Sequence, residues 1–301
     1  MDFGFNYSNQ WYKEPFHYQD SKIMRLLSNI GMEAIEVQLG VVNVINRNGK
    51  VNLRRKAKFF AMAENYGLKV GSIHAPYPNY SPTYLDLISG EKSRAAIQTL
   101  KNSAQIAHEV GAGVMVVHPS HTYGLHSIDR RNEKAVIEKV IQNLSILRDF
   151  VEKECNITVG IETMAPKDDR MIVGDRPQEI ERIIRALNSK RVKVTWDMCH
   201  TYKSLMAYKL PVSDLKGIAK NTCHIHYSSY SPIISQCHCP TEFGKKTPIY
   251  EMLGLLKGYK GTVINEISPL LLLFLNPNLT LEEWLQKIID NSKAGFEKWM
   301  H

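Results

Sequence analysis

The stretch Val192-Lys193-Val194-Thr195-Trp196-Asp197-Met198-Cys199-His200 decides our prediction of the fold. Its first half alternates β-branched residues, which is typical of a short buried strand. Its second half places a carboxylate and an imidazole three residues apart, where that strand should end. This spacing suits a metal site at a strand tip. The same pattern recurs, because most other apolar runs in the chain also end in His, Glu or Asp.

Strand-like and helix-like segments alternate along the whole chain. The predicted strands are residues 2–7, 34–38, 69–74, 114–118, 158–162, 192–197, 222–227 and 262–266. The predicted helices are residues 21–30, 53–66, 92–110, 132–154, 176–187, 212–220, 248–256 and 281–299. No Pro/Gly/Ser-rich linker separates these β-then-α units, so we expect a single α/β domain over residues 1–301, a closed (β/α)8 TIM barrel. Active sites of such barrels lie at the C-terminal ends of the strands.

Composition sets outer limits on function. The 301 residues are 44% hydrophobic and 23% charged, which is ordinary for a globular protein. An excess of Lys and Arg gives a net charge of +8, so a polyanionic partner is one expectation. Five scattered cysteines do not form a secreted disulfide framework, and residues 1–6 resemble a strand rather than a signal peptide. Residues 269–275 are too short to span a bilayer, so we expect a cytoplasmic protein without membrane contact.

The polar residues at the predicted strand ends would share one bowl. They are His74, His118, Glu162, Asp197, His200, His226 and Glu266. Imidazole and carboxylate ligands suit zinc or manganese, and seven ligands exceed the need of one ion. They predict two ions bridged by a carboxylate. Each residue taken singly also fits a structural role: the histidines could be hydrogen-bonded in the core, the acids could pair with arginine, and His224 could replace His226 as the ligand.

Several motifs resemble, in order, those of endonuclease IV, the apurinic/apyrimidinic endonuclease of the xylose isomerase-like barrel superfamily. They are His74-Ala75-Pro76-Tyr77, Val117-His118-Pro119-Ser120, Gly160-Ile161-Glu162-Thr163, Val173-Gly174, Trp196-Asp197-Met198-Cys199-His200-Thr201, His226-Tyr227-Ser228-Ser229 and Asn265-Glu266. The resemblance implies a xylose isomerase-like barrel with a zinc cluster that cleaves DNA 5′ to abasic sites. It also implies two ligand sets. The first is His74, His118 and Glu162, and the second is Glu162, Asp197, His226 and Glu266.

A third ion of that family is where this sequence departs from the pattern. The resemblance implies His200 and an Asp-x-His pair as its ligands. The corresponding residues 236–246 read QCHCPTEFGKK, without Asp-x-His. His238, Cys237 or Cys239 could substitute, since thiolates bind zinc well. We therefore expect two or three Zn²⁺ ions, with Mn²⁺ as an alternative metal.

Two-ion chemistry assigns roles to two acids. Glu162 would set the spacing of the ions, and Glu266 would orient or deprotonate the attacking water. The alternative is a metal-dependent sugar isomerase or epimerase, which needs only Glu162, Asp197, His226 and Glu266 around one ion. The additional imidazoles of His74 and His118 favour the hydrolase. A barrel kept only for binding or scaffolding is a third interpretation.

Basic and aromatic residues of the loops are candidates for contact with damaged double-stranded DNA. They are Tyr77, Arg54, Arg55, Lys245 and Lys246. Against DNA, residues 37–42 lack the Arg-containing pattern expected of a DNA-penetrating loop. The apolar residues 270–275 could instead cover a small sugar or form an oligomer interface. No obligate protein partner is evident.

Overall fold

The computed structural model describes residues 2–7, 19–77, 86–88, 90–119, 130–167, 171–231, 236–241, 248–268 and 278–300. Two predictions fall outside these residues: the DNA contacts of Lys245 and Lys246, and the role of the apolar loop 270–275. Both therefore stay predictions.

Eight parallel strands close into a barrel, which confirms the predicted fold. They are β1 (Phe3–Tyr7), β2 (Ala34–Gln38), β3 (Lys69–His74), β4 (Val114–Val117), β5 (Thr158–Glu162), β6 (Val192–Asp197), β7 (Thr222–Tyr227) and β10 (Thr262–Asn265). Their order around the barrel is β1-β10-β7-β6-β5-β4-β3-β2. Every predicted strand lies within one residue of its observed bounds. Both faces of these strands are buried, so they are recognisable as near-continuous apolar runs.

Helices surround the barrel. They are α1 (Asp20–Asn29), α2 (Leu53–Asn65), α3 (Gly90–Glu109), α4 (Glu133–Glu154), α5 (Pro177–Leu187), α6 (Met198–Tyr208), α7 (Lys216–Asn221), α8 (Ile249–Gly254) and α9 (Leu281–Met300). Short 3₁₀ turns cover Arg130–Asn132 and Val212–Leu215. Among the described residues, no helix combines the length and apolar character needed to cross a membrane.

The structure differs from the sequence prediction at three places. Helix α6 was not predicted, and the predicted helix 212–220 is instead a 3₁₀ turn followed by the short α7. Strand β6 runs directly into α6 because Asp197 caps it, accepting a hydrogen bond from the His200 backbone N–H at 2.8 Å. The third difference is an unpredicted antiparallel hairpin of β8 (Ser229–Ser231) and β9 (Gln236–Cys239). It lies beside α6 at the mouth of the barrel.

Gly174, which follows β5 along the chain, packs tightly beside the strand that carries Glu162. Gly174 has a φ of +90°, and a Cβ there would lie 2.8 Å from Ile180 and 2.9 Å from Pro119. Its carbonyl accepts from the Met164 N–H at 2.9 Å, and its own N–H donates to Glu179 at 2.8 Å. Only glycine satisfies both the conformation and the space, so Gly174 allows this close packing beside the end of β5.

Candidate metal centre

Each barrel strand that was predicted to carry a site residue delivers it to the same end. His74, Glu162 and Asp197 are the last residues of β3, β5 and β6. His118 and Glu266 follow directly after β4 and β10, and His226 is the penultimate residue of β7. All except Glu266 are buried, and Glu266 is partly buried.

The three residues of the first predicted ligand set lie together. The Oε2 atom of Glu162 lies 3.2 Å from His74 Nε2 and 2.9 Å from His118 Nε2. One donor atom from each of the three residues falls within 4.8 Å of the others. Two imidazoles and a carboxylate in such a group are a normal ligand set for zinc, with a position left open for water or substrate.

The second set surrounds one nitrogen of His226. Its Nδ1 atom lies 2.8 Å from Glu266 Oε2, 3.2 Å from Glu162 Oε1 and 3.8 Å from Asp197 Oδ2. A ring nitrogen carries one proton at most, so it cannot satisfy three carboxylates. Asp197 Oδ2 is buried and has no hydrogen-bond partner among the described residues. A buried carboxylate oxygen without a partner is costly, and a divalent cation among these four residues removes that cost.

Glu162 belongs to both sets and faces each with a different oxygen. Burial would raise the pKa of its carboxyl, but the charges of His118 and His226 and their hydrogen bonds hold that pKa well below its usual range. Burial likewise opposes the ionisation of Glu266, yet the nearby His226 and His238 lower its pKa to about 2. Both acids are therefore ionised at neutral pH, which is the state that binds a cation.

The pKa values of the histidines in the site shift in different directions, according to the groups around each ring. Burial would lower the pKa of His226, but the carboxylates of Glu36, Glu266 and Glu162 raise it well above the ordinary value. Burial would also lower the pKa of His74, but the hydrogen bond and the charge of Glu162 raise it. Burial dominates at His118, and its pKa is lowered. Because the nearby carboxylates raise the pKa of His74 and of His226, protons compete with a metal ion for these imidazoles, and metal binding is coupled to proton release.

A third group of donors lies beside the second. It contains Asp197, Cys199, His200 and His238, whose donor atoms fall within 4.8 Å of one another. Cys199 Sγ lies 3.7 Å from His238 Nδ1, and His200 Nδ1 lies 3.3 Å from Asp197 Oδ2. The β8–β9 hairpin delivers His238, whose φ is +60°.

Sequence reasoning named His200 and His238 for this third place but missed Cys199. The signal was present, because Cys199 precedes His200 in the deciding stretch. Cys237 and Cys239, which were considered as substitutes, do not fall within the group. A thiol with two imidazoles and a carboxylate is a donor set typical of zinc.

A second missed residue lies beneath the ligands. Glu36, in the middle of β2, is fully buried and contacts both His224 and His226. An acid inside the apolar strand AIEVQ was the available signal. His224, which was considered as an alternative ligand, points its Nε2 at Glu36 at 2.9 Å instead. Burial would raise the pKa of Glu36, but the charge of His226 and hydrogen bonds from both histidines hold it well below its usual range.

The family follows from comparison of the whole chain with known proteins. The family described as the xylose isomerase-like TIM barrel matches residues 24–288. The chain belongs to this family. Its superfamily is enzymatic and the family is metal-dependent, in agreement with the donor groups at the mouth of the barrel.

The sequence relatives and the structural neighbours of this xylose isomerase-like barrel have different activities in their names. A probable endonuclease 4 of Pediococcus pentosaceus is 26% identical over 193 residues, which is 58% of this chain and 60% of that protein. The crystal structure of a D-tagatose 3-epimerase-like protein has a TM-score of 0.71 and 17% identity, covering 99% of both chains.

A D-psicose 3-epimerase from Clostridium cellulolyticum H10 has a TM-score of 0.70 and 14% identity, covering 98% of this chain and 99% of its own. The structural matches are too distant in sequence to show more than the fold. The chain spans about half the length of the curated relatives it matches.

The residues predicted to contact DNA differ in how far other side chains of this xylose isomerase-like barrel already engage them. Tyr77 stacks on His118, with ring centroids 5.0 Å apart, and its hydroxyl donates to Gln38 at 3.1 Å. It thus lies over the first ligand set. Arg55 is paired with Asp20 at 2.6 Å and donates to the Val42 carbonyl at 2.7 Å. A phosphate would have to compete with these contacts, whereas Arg54 is exposed.

Proposed function

We propose that this chain is a metal-dependent phosphodiester hydrolase that cleaves damaged double-stranded DNA 5′ to abasic sites. The observation that carries the proposal is the triad of His74, His118 and Glu162 beside the quartet of Glu162, Asp197, His226 and Glu266. A single-ion sugar enzyme has no use for the two additional imidazoles as ligands. Two cation sites that share a carboxylate are the arrangement expected for displacement at phosphorus.

The ligands suggest Zn²⁺ in both places. When bound, two such ions would activate water and neutralise charge on the phosphate and its leaving oxygen. The carboxylate of Glu162, which belongs to both ligand sets, would fix the spacing between the two ions. Glu266 is the most exposed of the ligating acids, with 17% of its side chain accessible, so it can reach a water that enters from the bowl. Its lowered pKa makes it an orienting group and a weak base at neutral pH.

The proposed contacts to DNA are side chains from the first turn of α2 and from segments that follow the barrel strands. Arg54 and Arg55, together with Lys245 and Lys246, would meet backbone phosphates. One face of the Tyr77 ring stacks on His118. The other face would contact the nucleotide beside the lesion. The net charge of +8 favours such a polyanionic substrate. The sequence similarity to probable endonuclease 4 agrees with this assignment.

A sugar isomerase or epimerase is the second candidate. It is favoured by the quartet of Glu162, Asp197, His226 and Glu266, which is sufficient by itself for one Mn²⁺ or Zn²⁺ ion. The fold similarity to sugar epimerases is compatible with it. In that enzyme His118 would not bind a metal ion, and this difference can be tested.

The discriminating experiment uses His118→Asn. Wild-type protein and variant are assayed for zinc content, for nicking of a duplex with one abasic analogue, and for epimerisation of a panel of ketoses. We expect wild-type protein to hold at least two zinc ions and to nick the duplex. The variant should lose one ion and lose nicking by about 10²-fold or more.

Salt and substrate provide the control. Affinity of wild-type protein for the duplex should fall steeply with added salt, which a sugar enzyme would not show. An intact duplex at high enzyme concentration, together with ketose turnover that survives His118→Asn, would replace the proposal with the sugar enzyme.

A further inference from the structure

Glu36 has an unusual setting for a carboxylate. It lies inside the barrel and is fully buried, yet its oxygens are surrounded by polar side chains. Asn6 donates to Oε1 at 2.7 Å, and Ser72 donates to Oε2 at 2.8 Å. His224 Nε2 lies 2.9 Å from Oε2, and His226 Nε2 lies 3.1 Å from Oε1. The carboxylate is therefore fixed in position by residues of three other strands, β1, β3 and β7.

His226 links this carboxylate to the metal centre. Its Nε2 atom faces Glu36, while its Nδ1 atom faces Glu162, Glu266 and Asp197. The ring thus stands between a single carboxylate below and the proposed cation above. A neutral imidazole has one N–H and one lone pair, so the partner of one nitrogen decides the role of the other.

We propose that Glu36 is a positioning residue that selects the tautomer of His226. By accepting a hydrogen bond from the Nε2–H group, it leaves the lone pair of Nδ1 directed at the carboxylates of Glu162, Asp197 and Glu266, where a cation would lie. The opposite tautomer would aim an N–H at the cation and a lone pair at Glu36, so both contacts would be repulsive. Glu36 acts through His226 and touches neither substrate nor ion. Its role rests on the two-ion site proposed above.

The neighbours of Glu36 make the selection effective. Asn6 and Ser72 are pure donors in these contacts, so they prevent the carboxylate from rotating away from His226. His224 occupies a second position on Oε2 and completes the set. The donor atoms of Glu36, His224 and His226 also fall within 4.8 Å of one another, but each Glu36 oxygen already has contacts with two protein groups. A carboxylate behind a ligating imidazole also increases the basicity of that ligand.

The test compares wild-type protein with Glu36→Gln. The amide keeps the shape but loses the charge, and it can donate as well as accept toward Nε2. Zinc affinity is measured by competition with a chromophoric chelator, and the ring protonation of His226 by ¹⁵N NMR in the zinc-loaded and metal-free states. We expect wild-type His226 to bind zinc through Nδ1 with a proton on Nε2. The variant should bind zinc about 10- to 100-fold more weakly at unchanged stoichiometry.

Ser72→Ala is the milder companion, because it removes one donor to Glu36 and leaves its charge. It should shift zinc affinity in the same direction by a smaller factor. The wild-type spectrum decides the matter even if Glu36→Gln fails to fold: zinc bound through Nε2, or Nε2 without a proton, overturns the proposal. Unchanged zinc affinity in folded Glu36→Gln also overturns it, and so does loss of a whole ion, which would make Glu36 a ligand.

These readouts need no DNA. A zinc-loaded protein with the expected tautomer that fails to nick DNA would contradict the proposed hydrolase and leave the role of Glu36 intact. An active nuclease with the opposite tautomer would contradict the role of Glu36 alone.

Discussion

Replacing Glu162 by Gln tests the shared carboxylate most directly. One oxygen of Glu162 faces His74 and His118, and the other faces His226 at 3.2 Å. The amide introduced by Glu162→Gln has only one acceptor oxygen and no charge, so it cannot serve both ligand sets. The first set would keep two neutral imidazoles, while the second would keep Asp197, His226 and Glu266. We therefore expect loss of the first ion and weaker binding of the second.

The size of the effect follows from the lost charge. Unit charges about 4 Å apart attract by roughly 4 kcal/mol at an effective dielectric of 20. Each 1.4 kcal/mol changes an equilibrium constant about tenfold, so the affinity of the second ion should fall by about 10³-fold. Zinc content after dialysis against a weak chelator, measured by mass spectrometry, should fall by at least one ion per chain. Nicking of abasic duplex should fall by about 10³-fold or more.

Glu179→Gln is the matched control for that experiment. Glu179 is also a buried glutamate of this barrel, but it is bound to Arg130 at 3.1 Å and to the Gly174 N–H, not to the metal ligands. It should retain full zinc content and activity. Zinc content and turnover of Glu162→Gln equal to those of the wild-type protein would refute the assignment of Glu162 as the bridging ligand.

Two further predictions concern other parts of the site and its support. Cys199→Ser should remove only a third ion. Cobalt-substituted wild-type protein should show a thiolate charge-transfer band that this variant lacks. If the band persists in the variant, Cys199 is not a ligand. Burial and nearby Asp175 raise the pKa of Glu179 to about 7. The folded state then binds more protons than the unfolded state between pH 4.5 and 7, so stability falls as pH rises through that window. Urea unfolding at several pH values should show that the free energy of unfolding depends less on pH in Glu179→Gln than in the wild-type protein. An unchanged pH dependence would contradict the raised pKa of Glu179.

The barrel strands were predictable because each is buried on both faces. Such strands appear in sequence as short β-branched runs, and their ends were marked by a polar residue. Helix α6 was missed because the deciding stretch was interpreted only as a strand with a metal-site tip. Asp197 there has two roles, since one of its oxygens caps α6 and the other faces the metal centre.

The hairpin of β8 and β9 was missed for a different reason. Its strands have three and four residues, and neither carries a long alternating pattern. The hairpin nevertheless places His238 next to Cys199, which belongs to the first turn of α6. Two segments almost forty positions apart therefore complete one donor group, and no local pattern in either segment indicates that proximity.

The pattern of apolar and polar residues along the sequence was sufficient to predict a (β/α)8 barrel with His and acidic side chains at its strand ends. That information is local, because strand, turn and helix each have their own period. Only the closed barrel decided which of those side chains meet. Its closure brings Glu36 of β2 against His226 of β7, which are 190 residues apart in sequence. The His226 ring contacts Glu36 through one nitrogen and the metal-site carboxylates through the other. Neither strand alone indicates these contacts, because they form only when the barrel closes.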